Sequence, residues 1–432
     1  MVVALRQSQP REWLKGPPGT RTYAAVWFPD RSAESVWDVL ILVAAVQSAG
    51  GSPTRASLAV ALGTMMLVVS APIGGALADR FTLLRTASWT LLARALIFLL
   101  LLFAISHGTQ WWVIAALVAG MALVDGAHFP AVSGLGRLLT RDHDERGMTQ
   151  VTSARDAVGT LAKIGGTAAA GLLIGWRSTA AAALAVALVL VASMMLRRLR
   201  KLLDSQETAS VDEAAASSAD DSGLWSSFGV VWRLVRHHRE HAIRLTMFAA
   251  SNACTIGPLL LAIPLMSRDY SWPWWGIALA FVLNAAGALS GAVALNRYGR
   301  KIHSRLRFGL LILLPAVAGM TLVAVGHVPV LVGIGLLIAA PAFAVNSMLM
   351  ESDLRVATPR SAQGAMGALQ DICIFGVGPL GQILFGVLAS ATSLRTAGLV
   401  FAAAMLAITI LALSLIRPVR GRRGPSARQH AA

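Results

Sequence analysis

Apolar runs of about 20 residues recur along this chain with short polar loops between them, and no other feature narrows the fold as far. A helix of that length crosses the ~30 Å hydrocarbon core of a bilayer. The runs read as Tyr23–Gln47, Ser57–Ala78, Ala87–Ser106, Trp111–Leu135, Val151–Trp176 and Ser178–Leu196, then Leu245–Ser267, Trp274–Asn296, Phe308–Val325, Val330–Met350, Gly364–Ala389 and Ala397–Ile416. Only 13% of residues are charged and mean hydropathy is +0.65, too little charge for the surface of a soluble protein of this length. The expectation is an all-α integral membrane protein of twelve transmembrane helices.

The net charge of +16 would suggest a nucleic-acid partner in a soluble chain. Here the basic residues crowd into alternate loops. With both termini inside, the spans hold Arg31, Arg94, Arg155 and Lys163, the outer side holds Arg55, Arg177, Arg268 and Arg395, and the other 29 of the 37 Lys and Arg fall on the cytoplasmic side. That asymmetry follows the rule that basic loops stay inside, and an odd span count would break it. No nucleic-acid partner is expected. Cys254 and Cys373 lie in apolar runs and imply neither disulfide nor metal.

The expected organisation is a cytoplasmic tail at 1–22, a six-helix lobe at 23–197, a linker at 198–240, a second six-helix lobe at 241–416 and a basic tail at 417–432. The linker opens with Arg197, Arg198, Arg200 and Lys201 and continues as a Ser/Ala/Asp/Glu-rich stretch with flexible composition. Trp225, Phe228, Val231, Trp232 and Val235 then recur at helical spacing among arginines, which suits an amphipathic helix on the inner leaflet or a soluble linker helix.

The halves echo one another. Gly74-Gly75-Ala76-Leu77-Ala78-Asp79-Arg80-Phe81 follows the second run, and Gly291-Ala292-Val293-Ala294-Leu295-Asn296-Arg297-Tyr298-Gly299-Arg300-Lys301 follows the eighth. Arg155-Asp156, Gly166 and Gly171 likewise match Gln370-Asp371, Gly381 and Gly386. Such echoes mark a duplicated six-helix unit. The chain resembles the major facilitator superfamily, whose hallmark G-x-L-x-D-R-x-G-R-[RK] lies in these two loops. The first copy has Thr82-Leu83-Leu84 in place of Gly-Arg-Arg, and the second has Asn296 in place of Asp. The resemblance implies that Gly74, Asp79, Arg80, Arg297 and Gly299 latch an inward gate; otherwise these basic residues only set topology. Within the superfamily the chain is most similar to bacterial drug and siderophore exporters of the enterobactin-exporter and Tap-like kind. Phe129-Pro130-Ala131, the degraded antiporter motif Gly166-Thr167-Ala168-Ala169-Ala170-Gly171 and Gly378-Pro379-Leu380-Gly381 carry that likeness.

Charges inside a bilayer are costly and usually face a wet cavity. In the first run Asp30, Glu34 and Asp38 stand at i, i+4 and i+8, so they share one helix face. Crowded carboxylates away from bulk water favour binding a proton. Arg31 stands ready to neutralise one of them. Asp30, behind a Pro29 that suits a first helical turn, reads mainly as a solvated interfacial charge. Asp125 and His128 are i, i+3 neighbours that could exchange a proton, or His128 is a packed histidine bonded to a backbone carbonyl. Arg155, Asp156 and Asp371 read as inter-lobe gate charges. Trp27, Trp37, Asn252, Asn284, Phe343 and Asn346 are candidate cavity contacts for a bulky amphipathic substrate.

Other signals carry nothing. Gly376-Val377-Gly378-Pro379-Leu380-Gly381 fits a dinucleotide fingerprint but lies in an apolar run with no strand before it. His237, His238 and His241 have no acidic or Cys ligands beside them. No phosphate-binding loop or hydrolase motif occurs. The expected function is proton-coupled export of a lipophilic drug, antibiotic or siderophore, with no enzymatic activity, no metal and no cofactor beyond the proton gradient. The expected setting is a bacterial plasma membrane, and the expected partners are the small-molecule substrate and lipid, with the chain acting as a monomer. Alternatives are a symporter importing a nutrient and a non-transporting scaffold or sensor.

Overall fold

The computed structural model describes residues 19–416 apart from 81, 139–144, 208–232, 234, 238, 274, 300, 301, 303, 359–365, 367, 368 and 371. Side chains at 71–80, 133, 134, 136–150, 152–154, 156, 157, 203–207, 256–258, 296, 351, 355–357 and 374 also lie outside the described set. The first lobe comprises α1 (Thr20–Ser48), α2 (Pro53–Arg80), α3 (Leu83–Ser106), α4 (Trp111–Leu138), α5 (Glu145–Trp176) and α6 (Ser178–Glu207). The second comprises α7 (Arg239–Asp269), α8 (Gly276–Tyr298), α9 (Arg305–Val325), α10 (Pro329–Ala357), α11 (Ile372–Ala391) and α12 (Leu394–Leu415). Among the described residues ten helices are long and apolar enough to cross a membrane. In the other two, charges interrupt α1, and the apolar part of α11 is short, Phe375–Ala391.

Proline shapes several elements. Pro53 and Pro329 open their helices, where a missing amide costs nothing. Pro315 cannot donate to the carbonyl four residues back, and α9 is broken at Ile312 into Arg305–Leu311 and Leu313–Val325. Pro379 acts in the same way on α11, whose first turns, Ile372–Val377, are π-helical. Pro29 differs from the sequence expectation. The helix begins at Thr20, so Pro29 lies inside it and withholds an amide from the Ala25 carbonyl. Packing against α2, α4, α5, α6 and α7 holds α1 together regardless.

Helices also outrun their apolar cores. α6 continues to Glu207 and α10 to Ala357, past the apolar runs that end at Leu196 and Met350. Hydropathy reports the depth of hydrocarbon, while helical hydrogen bonding continues into the polar zone. Of the expected amphipathic stretch, Trp225, Phe228, Val231 and Trp232 lie outside the described residues. Val235 is buried against Leu354 and Met366, so it meets protein instead of the lipid face expected for it.

Each lobe buries one face of a helix and leaves the other greasy. On α3, Thr86, Ala87, Thr90, Leu91, Arg94, Ala95, Phe98 and Leu101 are buried at helical spacing, while Trp89, Leu92, Leu96, Leu99 and Phe103 are exposed. An exposed stripe of that kind on a membrane helix is a lipid face. The lobes meet through α2 against α11 and α5 against α8. The repeated glycines make these approaches possible. A Cβ on Gly166 would strike Ser32 and Ser35 of α1, and one on Gly381 would strike the Ala253 backbone of α7, both within a lobe. A Cβ on Gly171 would strike Ala278 of α8, and one on Gly386 would strike Ser57 of α2, both across the lobe boundary. Thr54 reinforces that seam, its hydroxyl donating to the Gly386 carbonyl at 3.2 Å, and the Arg268 guanidinium covers Gly51. The end of the molecule poor in basic residues is therefore shut.

Candidate functional site

α1, α3 and α4 bring four ionisable side chains together in the middle of the first lobe. Asp30 and Arg94 are each 1% exposed, and His128 is fully buried. Arg94 lies on the buried stripe of α3, which leaves it no route to water and makes a counter-charge necessary. Its Nη1 donates to Asp30 Oδ1 at 2.5 Å. His128 Nε2 sits 3.0 Å from Asp30 Oδ2 and 3.1 Å from Oδ1. Arg94 Nε approaches Asp125 Oδ1 at 3.2 Å without hydrogen-bond alignment, and among the described residues neither atom has a hydrogen-bond partner. One guanidinium thus serves two carboxylates, firmly for Asp30 and loosely for Asp125.

Thr90 completes the arrangement. Its hydroxyl is 2.9 Å from His128 Nδ1 and 2.9 Å from the Thr86 carbonyl. A neutral His128 donates from Nε2 to Asp30 and accepts at Nδ1 from the Thr90 hydroxyl. A protonated His128 donates from both nitrogens, and the Thr90 hydrogen turns to the Thr86 carbonyl. The ring keeps both of its hydrogen bonds whether it gains or loses a proton. With His128 neutral, the cluster carries two carboxylates against one guanidinium, and a single proton on His128 or Asp125 makes it neutral.

A second tier opens toward water. Arg31 pairs with Glu34 at 2.5 Å and lies between Trp27 and Phe129, 4.2 Å and 4.7 Å from their ring centroids. Arg155 stands 5.4 Å from the Trp27 ring. Asp38 is exposed, and the charged groups around it are Glu34, Lys163, Arg94 and Arg31. α1 thus presents three carboxylates at three depths, from sealed Asp30 through half-buried Glu34 to open Asp38.

Two expectations need correction. Asp30 is not a solvated interfacial charge, because α3 brings Arg94 to it. Among the described residues His128 bonds to the side chains of Thr90 and Asp30 and to no backbone carbonyl, and Arg94 and Asp30 stand between it and Asp125. Sequence reasoning does not single out Arg94 or Thr90 as site residues. The available signal was a lone arginine in the otherwise apolar run Ala87–Ser106.

The other candidates scatter. Trp27 is packed beneath Arg31, and Trp37 is buried edge-on against Phe98 with centroids 5.3 Å apart. In the second lobe Asn346 is fully buried and its Nδ2 donates to Ser251 Oγ at 3.3 Å, while its Oδ1 has no hydrogen-bond partner among the described residues. Asn252 is buried and donates to the Phe248 carbonyl. Asn284 and Phe343 are half-buried. Arg297 is exposed over the Tyr298 ring, and Gly299 caps α8. Gly74, Asp79, Arg80 and Asp156 lie on helices, but their side chains fall outside the described residues, as does the whole of Asp371. A charge group not expected from the sequence ties the second lobe's basic-rich end together: Asp353 bridges Arg244 at 3.4 Å and Arg305 at 3.1 Å.

The family model described as Major Facilitator Superfamily matches residues 35–378. The chain belongs to that superfamily. It is a multi-pass membrane transporter and not an enzyme. Similar folds include an auto-inhibited POT family peptide transporter (TM-score 0.68, 14% identity, 95% of this chain and 99% of that one). The nucleoside transporter NupG is also similar (TM-score 0.66, 16% identity, 92% and 98% covered). A POT family transporter in complex with 5-aminolevulinic acid reaches a TM-score of 0.66 at 12% identity, with 92% and 96% covered. At such identities the likeness is one of fold. No curated protein matches the chain.

Proposed function

We propose that this superfamily member is a proton-coupled exporter, an antiporter that expels a lipophilic drug, antibiotic or siderophore-like molecule by alternating access. Its setting is a bacterial plasma membrane with both termini cytoplasmic, and it works as a monomer. The observation that carries proton coupling is the buried Asp30–Arg94–Asp125–His128 cluster, one proton short of neutrality and fitted with a hydroxyl that serves both histidine states. A proton there changes the charge of a buried site on α1, and α1 touches α7 of the opposite lobe. Coupling requires only that the two access states bind that proton with different affinity. Asp125, loosely held by Arg94 and slightly open, is the entry point. Exposed Asp38 and half-buried Asn284 and Phe343 would supply polar and apolar contacts for an amphipathic substrate. Export is supported by the span-five resemblance to antiporters, whose Gly166 and Gly171 sit at close helix contacts. A gate at the basic-rich end would use Asp79, Arg80, Arg155, Asp156, Arg297 and Asp371.

A second reading, proton symport of a small polar nutrient, is favoured by the nucleoside and peptide transporters among the similar folds. The test is flux in proteoliposomes across an imposed pH gradient, with lipophilic cations, siderophores, nucleosides and dipeptides. Movement of a lipophilic compound against the proton flow supports export. Movement of a nucleoside or peptide with the proton selects symport, and flux indifferent to the gradient overturns both.

A further inference from the structure

α8 and α9 each pack on α10 and leave a gap between them at the basic-rich end of the second lobe. The gap is a cavity of about 520 Å³. Leu295, Ile302, Phe308, Leu311 and Val345 make its wall, with Arg307 at the rim. Phe308 and Leu311 are 38% and 44% exposed, and Tyr298, which also lines the cavity, is more so. Large exposed apolar residues on membrane helices face lipid, so this groove opens to the bilayer and not to the seam between the lobes. Basic residues flank it: Arg307 lines the cavity, and Arg297 and Arg305 are the chain neighbours of the lining residues Tyr298 and Ser304. Arg305 is held by Asp353, while Arg297 and Arg307 are exposed and form no ion pair among the described residues.

We infer that this groove binds an anionic phospholipid, with an acyl chain along the Leu295–Phe308–Leu311 wall and the phosphate against Arg307 and Arg297. An apolar slot that opens sideways into the bilayer suits an acyl chain better than a water-soluble ligand. Exposed arginines at the headgroup level select negative lipid over zwitterionic. The site lies away from the Asp30–Arg94 cluster and does not depend on which substrate is carried. A lipid seated there would touch Tyr298 and Gly299, where α8 ends within the second copy of the hallmark motif.

The test is native mass spectrometry of the purified full chain in neutral detergent, titrated separately with dioleoyl phosphatidylglycerol, dioleoyl phosphatidylcholine and inorganic phosphate. The wild type should retain one phosphatidylglycerol in preference to phosphatidylcholine. The double variant Arg297→Gln/Arg307→Gln should weaken that binding roughly 30-fold, the worth of two arginines at an anionic surface. Ala294→Trp, on the groove wall, should displace the lipid with the arginines intact, while Arg55→Gln/Arg395→Gln at the opposite end should change nothing. Equal retention of both lipids, or retention by the double variant, overturns the proposal. Displacement by inorganic phosphate makes it a free-anion site, and indifference to Ala294→Trp makes it surface adsorption; both also overturn it. Unchanged gel-filtration profiles guard against misfolded variants.

Discussion

The two lobes are built on one plan and filled with different chemistry. Matching positions lie about 220 residues apart. His128 reaches Asp30 in the first lobe, and Asn346 reaches Ser251 in the second. His128 faces Thr90, and Asn346 faces Gly309, where an added Cβ would come within 3.3 Å of Asn346 Oδ1. Arg94 and Asp125 correspond by the same spacing to Leu313, which is fully buried, and Phe343. The first lobe thus holds a network of charges where the second holds one amide, a hydroxyl and hydrocarbon. Helix packing alone does not demand the charges, since the second lobe packs without them. Their presence on one side only is what makes the first lobe the candidate for coupling and the second a candidate surface for substrate.

The sharpest way to break this comparison is Arg94→Met. It strands Asp30 and Asp125 without a counter-charge and should cost about 3–5 kcal/mol. Thermal unfolding in detergent would show it, and Leu313→Met at the matching site should cost less than about 1.5 kcal/mol. Equal tolerance of the two changes would mean that the charges do not hold the first lobe. Asp125→Asn should leave the fold intact and reduce gradient-driven flux roughly tenfold, the ordinary size of coupling between sites. Phe343→Leu, its counterpart, should keep the response to pH; loss in both would place coupling across the lobes. Thr90→Val removes the hydroxyl that serves His128. A hydrogen bond to the charged ring is the stronger one lost, so the variant should need a more acidic buffer for the same flux, an effect of roughly fivefold. An unchanged pH profile would take His128 out of the proton path. The smallest effect is expected from Asn346→Leu, about 1 kcal/mol or less, because an unsatisfied acceptor leaves along with one 3.3 Å hydrogen bond.

Much of the fold was legible from the chain, and less of the site. Asp30, Glu34 and Asp38 stood out because acids are rare in apolar runs, and helical spacing alone put them on one face. Their different depths were not legible, because depth depends on which helix covers each one. Arg94 was visible as an isolated charge, but nothing local to α3 says that it turns toward α1 and α4. Trp27 and Trp37 looked like cavity aromatics, yet one supports Arg31 and the other meets Phe98. An aromatic in a bundle packs or lines a cavity according to neighbours that lie far away in sequence.

The sequence by itself determined the helical, membrane-spanning class, the near-positions of the helices, the duplication and the superfamily. Those follow from hydropathy over 20-residue windows, from the placement of basic loops and from motif spacing, all of which are local or periodic properties. Only the tertiary structure decided that Arg94 is shared between Asp30 and Asp125, that Thr90 can serve both states of His128, and that Gly171 and Gly386 seal one end. These are contacts between residues that are distant along the chain, made when helices pack at angles and rotations that no single helix encodes.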